Sequence, residues 1–229
     1  MAAVQLLDSA GQPVPRFARF LATKIPSAFA RGSRALITAA CEQGYSEAPP
    51  RHDNDLPYWK NIQPHIRNSF ACERLHRLAE ECGMVATVRE LDNHYFYLEI
   101  ESSGLVLHVK HKNNYQTLFE QITKADYRRQ MADTLNSGWG QLGLELAGAQ
   151  MRLPDRAYAI MFYEDGANKS TAGDIYFILP SQNEDNMPTA SLEEVIAAYS
   201  PPDEGTQPRQ DDQIDLPPKD GGKGNQKTK

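Results

Sequence analysis

The stretch HYFYLEIESSGLVLHVKHKNN, His94 to Asn114, decides the fold class. It alternates apolar and polar residues twice, with a small polar turn between, which is the pattern of a β-hairpin with one buried face. Phe96, Leu98 and Ile100 share one face of the first strand, and Leu105, Leu107 and Val109 one face of the second. Pairing Ile100 with Leu105, Leu98 with Leu107 and Phe96 with Val109 joins the two apolar rows. A slip by one residue would set glutamates among leucines. That register makes Ser102-Ser103 the turn. It also predicts a wet opposite face, with Tyr95 facing Lys110, Tyr97 facing His108, Glu99 facing Val106 and diagonal to His108, and Glu101 at the turn.

More strands and several helices surround the hairpin. MVATVREL, Met84–Leu91, is β-branched and alternating. AYAIMFYE, Ala157–Glu164, and DIYFIL, Asp174–Leu179, form a second strand pair across a glycine-bearing polar loop. Helical periodicity runs from Arg16 to Gln43, with a break at Pro26 and a stop at Gly44. It returns from Tyr58 to Cys82, where Ala71, Leu75, Leu78, Ala79 and Cys82 form an apolar stripe ended by Gly83. A further helix is predicted over Tyr115–Leu135, and a last one from Ser191, whose Glu194 three residues on completes a capping-box pattern.

These elements predict an α+β fold, with N-terminal helices packed on a mostly antiparallel sheet of about five strands. Residues 1–15 read as a flexible arm and 16–199 as a single α+β domain. Residues 200–229 read as a disordered tail, in which Ile214 and Leu216 are the only large aliphatics.

The chain has 229 residues, of which 40% are hydrophobic, and a formal net charge of −6. Acidity removes long-range attraction to phosphate, so nucleic acid is allowed as a partner but not favoured. Contact with it would need the basic residues Lys110, Lys112, Lys124, Arg128 and Arg129. No secretory signal or membrane-spanning run is visible, and Cys41, Cys72 and Cys82 lack paired spacing. A cytoplasmic location is expected, with no membrane partner and no cofactor. His52, Asp53 and Asp55 cluster in a loop, but turn chemistry accounts for them and no metal is expected.

Two functional readings compete for the hairpin. Tyr95, Tyr97, His108 and Lys110 offer rigid amphipathic contact area for a protein partner, with Ile214 and Leu216 of the tail as a second contact. Alternatively, Glu99, His108 and Lys110, with Asp92, approximate a metal-dependent nuclease of the restriction-endonuclease type. There an acid on one strand faces an acid-x-Lys triplet on the next, and the bound metal activates water. Here histidine replaces the triplet's acid, and histidine is a poor ligand for magnesium.

The run LHVKHKNNYQTLFEQ, Leu107–Gln121, followed by the strands in Tyr158–Pro180, resembles bacterial proteins of toxin–antitoxin and phage-defence loci. The resemblance implies a non-enzymatic partner or immunity component, working as a homo-oligomer or in a hetero-complex.

Overall fold

A computed structural model describes residues 16–46, 57–91, 96–112, 120, 122, 125–136, 156–167, 170–180 and 187–199. The arm, the tail with Ile214 and Leu216, the loop with His52, Asp53 and Asp55, and the positions Asp92, Tyr95 and Lys124 lie outside these residues.

Among the described residues there are six strands in one sheet: β1 (Val85–Glu90), β2 (Phe96–Ser102), β3 (Leu105–His111), β4 (Ala157–Asp165), β5 (Ala172–Ile178) and β6 (Thr189–Ser191). They lie in sequence order, antiparallel throughout except for the parallel pair β3–β4. Five helices accompany them: α1 (Arg16–Lys24), α2 (Ser27–Ser46), α3 (Pro57–Glu81), α4 (Asp126–Leu135) and α5 (Leu192–Ala198). The fold is α+β and mostly antiparallel, with β6 added to the five strands legible in the sequence. At three residues, β6 is too short to show alternation.

The hairpin's faces follow the sequence, but its register does not. Ser102 pairs with Leu105, Ile100 with Leu107 and Glu99 with His108, two residues away from the pairing expected. The turn is Ser103-Gly104, with φ of +48° and +84°. Two consecutive positive φ values make the tight turn whose twist matches the flanking strands, and glycine occupies the second position without strain. An even slip keeps each side chain on its face. It brings Glu99 directly opposite His108 instead of diagonal to it.

The helical face of the sheet carries the main core. Phe20, Leu21, Phe29, Ile37, Leu75 and Leu78 meet Leu98, Ile100, Leu107, Met161 and Phe177 there. Pro26 separates α1 from α2 as expected, whereas Gly44 sits inside α2. A Cβ at Gly44 would lie 2.6 Å from Cγ of Arg67, so the glycine permits close approach of α3 and does not end the helix. Ser191 and Glu194 form the reciprocal capping box at α5.

The opposite face is also covered. Val106, Tyr158, Ile160, Phe162 and Ile178 form a second, smaller core with Ile122 and with Ala132 of α4. The sequence reading of a wet outer face is therefore wrong over β2–β3: Glu99 is 7% exposed and His108 3%. The overlooked sign was β4, whose first seven residues are all buried. A strand apolar on both faces needs a cover on both faces, and its neighbour β3 shares that cover.

Candidate functional site

The second face gathers a polar chain that starts on β1 and ends on β4. Arg89 donates from Nε and Nη2 to Oε1 of Glu99, at 3.0 and 2.8 Å. The other carboxylate oxygen, Oε2, lies 3.3 Å from Nε2 of His108. Nδ1 of His108 lies 2.9 Å from the Tyr158 hydroxyl. An ionised carboxylate only accepts, so the neutral imidazole is assigned its proton on Nε2, and Nδ1 accepts from the Tyr158 O–H. Both oxygens of Glu99, both ring nitrogens of His108 and the Tyr158 hydroxyl thereby have a partner of the right kind, which is what a buried network requires.

Burial pushes the His108 imidazole below its usual pKa, against the pull of Glu99. The Glu99 carboxyl is held below the usual carboxylate range by its hydrogen bond with His108, with burial opposing and Arg89 assisting. The Tyr158 hydroxyl, buried outright, is raised well above its ordinary value. This set suits a fixed, neutral imidazole and an un-ionised phenol, not an exposed nucleophile.

Aromatic rings close over the network. Tyr97 stacks on Tyr127 of α4 with centroids 4.6 Å apart, and its ring lies 4.7 Å from that of His108. Arg128, buried beside them, donates from Nη1 to the Tyr127 hydroxyl at 2.9 Å. Lys110 continues the same face of β3. Its ammonium is pushed down to about 8, first by burial and then by Arg128.

Sequence reasoning thus placed Glu99, His108, Lys110 and Tyr97 on one face, and the structure brings them together. It missed Arg89, Tyr127 and Tyr158, which supply the ion pair, the cover and the hydrogen bond to Nδ1. Arg89 was legible in principle, since it alternates in phase with Val85 and Thr87 on β1. Tyr158 was not, because its meeting with His108 depends on the parallel pairing of β3 with β4. Of the described bases in the set considered above for nucleic acid, two are paired with acids. Lys112 pairs with Glu164 at 2.5 Å, and Arg129 with Asp126 at 2.8 Å.

A second polar cluster lies on the helical face, at the C-terminal ends of β3 and β4. Asp165 accepts from Arg67 Nη2 at 2.8 Å and lies 3.0 Å from His111 Nε2. Asn68 Oδ1 accepts from the His111 backbone N–H at 3.1 Å and the Tyr163 hydroxyl at 3.3 Å. These contacts tie α3 to the two parallel strands. Among the described residues, no group of three or more His, Cys, Asp or Glu side chains is disposed to hold a metal ion.

No protein-family model, no curated protein and no solved structure matches this chain.

Proposed function

We propose that this protein acts by protein–protein contact, as a binding component of the antitoxin or phage-defence-accessory type, and that its partner meets the β1–β2 margin of the sheet. The carrying observation is the placement of exposed apolar side chains. Among the described residues the large ones are Tyr45, Val85 at 63%, Val88 at 56% and Phe96 at 55%; Val88 and Phe96 share the helical face of the β1–β2 pair, and Val85 lies on the other face of β1. β1 is the end strand of the sheet, and an edge strand with exposed apolar side chains is a template for another chain. Tyr97 borders this margin opposite Arg89, with His108 beneath it. The likeness of Leu107–Gln121 and Tyr158–Pro180 to partner or immunity components supports the same reading, with Ile214 and Leu216 as a second contact.

A cytoplasmic setting fits three free thiols, Cys41, Cys72 and Cys82. Among the described residues no helix is long and apolar enough to cross a membrane. Co-expression with the products of adjacent genes tests the proposal. The wild-type chain should retain one of them, and Val88→Lys should release it. A strict monomer that retains none of them would sink the reading.

The nuclease reading keeps one supporting observation, the shared face of Glu99, His108 and Lys110. Against it, Arg89 and His108 already occupy the two oxygens of Glu99. Incubation with plasmid and magnesium or manganese distinguishes it: cleavage that disappears in Lys110→Ala would favour this reading over the first.

A further inference from the structure

Arg128 is a buried cation without a counter-charge. It stands in the first turn of α4 and is 8% exposed. Its hydrogen bonds go to neutral oxygens: Nη1 donates to the Tyr127 hydroxyl at 2.9 Å and Nε to the Ile122 carbonyl at 3.4 Å. A buried arginine is ordinarily paired with an anion. Among the described residues Arg128 forms no ion pair, and Glu99, Glu164 and Asp126 are held by other bases, namely Arg89, Lys112 and Arg129.

Lys110 adds a second cation that has no carboxylate among the described residues. It follows His108 by two residues on the same face of β3, about 7 Å along the strand, with Phe162 of β4 beside it. The Tyr127 ring links the two cations. Its centroid lies 5.7 Å from that of His108 and 5.1 Å from the guanidinium carbon of Arg128. Burial, and then Arg128, press the Lys110 ammonium toward its neutral form, and no acid opposes them. Lys110 is only half-buried, so solvent reaches the pair from its side.

The start of α4 adds a third favourable group. Its N-cap is Ala125, which has no side-chain oxygen to accept from the first turn. The Arg128 side chain leans back to the carbonyl of Ile122, upstream of that N-cap. The guanidinium therefore sits at the positive end of the helix, where an anion is favoured. A chain with a net charge of −6 thus gathers two cations and a helix N-terminus on one partly enclosed face. Two such charges match a phosphate group, which carries about −1.5 to −2 at neutral pH. A lone carboxylate would leave one cation uncompensated.

We propose that Arg128, Lys110 and the first turn of α4 form a binding site for a phosphate group, a function beyond the partner contact at the β1–β2 margin. The same chemistry recognises free phosphate and the phosphate of a nucleoside monophosphate.

Thermal melts and calorimetric titrations of the full chain test it, in phosphate-free buffer with ionic strength held constant by sodium chloride. Inorganic phosphate or adenosine monophosphate should raise the wild-type melting midpoint in a saturable manner. Lys110→Met should weaken that binding by about tenfold to a hundredfold, the loss of one charge-assisted hydrogen bond. Arg128→Lys, which keeps a charge but loses the fork, should weaken it too. Circular dichroism confirms that each variant is folded, and either folded variant suffices for the comparison. Tighter binding of adenosine monophosphate than of inorganic phosphate assigns the site to a phosphomonoester; the reverse order assigns it to the free ion. A wild type that responds to neither ligand overturns the proposal, as does a response that folded Lys110→Met or Arg128→Lys keeps in full.

Discussion

The hydroxyl of Tyr158 lies 2.9 Å from Nδ1 of His108, joining β4 to β3 through side chains as well as through the backbone ladder. Both residues are buried, so the bond has no water to replace it. Tyr158→Phe keeps the ring and leaves the Nδ1 lone pair unsatisfied, at a cost of about 1–3 kcal/mol. The melting midpoint should fall by several degrees, at about 2–4 °C per kcal/mol for a chain of this size. An unchanged midpoint would show that the bond contributes nothing.

Stability should fall as the pH drops from neutral. His108 titrates near 6.5 when unfolded, but burial depresses its pKa in the fold. Below about 6.5 the unfolded chain therefore binds more protons than the native one, and stability declines with pH. Glu99, also depressed, adds a further loss once the pH falls below its ordinary value of 4.5. Thermal melts between pH 8 and pH 4 should show both limbs, and His108→Gln should remove the upper one. A wild-type midpoint that does not change between neutral pH and pH 5 contradicts the buried, neutral imidazole.

Lys110 is predicted to cost stability. Its ammonium is pushed down to about 8, so at neutral pH the fold holds a charge that its surroundings resist. Lys110→Met keeps the length of the side chain and removes the charge. It should raise stability by on the order of 1 kcal/mol, well below the full value of the shift because Lys110 keeps partial solvent contact. The gain should shrink as the pH rises from about 8 to 10.5, where the native lysine has already lost its proton and the unfolded one has not. A destabilised variant would mean that Lys110 has a partner that stabilises its charge.

Asp165 anchors α3 to the ends of β3 and β4 through Arg67 and His111. Asp165→Ala leaves the Arg67 guanidinium buried without its carboxylate, which typically costs about 3–5 kcal/mol. Arg67→Met in the same chain should recover part of that loss by removing the stranded charge. Denaturant midpoints of the two single variants and the double variant measure the coupling. Additive losses would mean that the two side chains do not act as a pair.

Local pattern alone marked five of the six described strands, the three N-terminal helices and the division of side chains between the two faces of each strand. The apolar stripe of α3, the break at Pro26 and the capping box of Ser191 are all short-range features, set by periods of two or 3.6 residues and by backbone geometry. The turn was only partly legible, because a two-residue slip leaves the faces intact and the apolar pattern cannot detect it; the positive φ at Ser103 and Gly104 decides it. Only the tertiary structure decided whether the charged face of the hairpin was wet or dry. That depended on the parallel pairing of β3 with β4 and on α4 lying over them, contacts between segments from about twenty to about fifty residues apart in the chain. Their physical effect is desolvation. It turns Glu99, His108 and Tyr158 from surface groups into a buried, mutually satisfied network, while Val85 and Val88 of β1 stay among the exposed apolar side chains of the described residues.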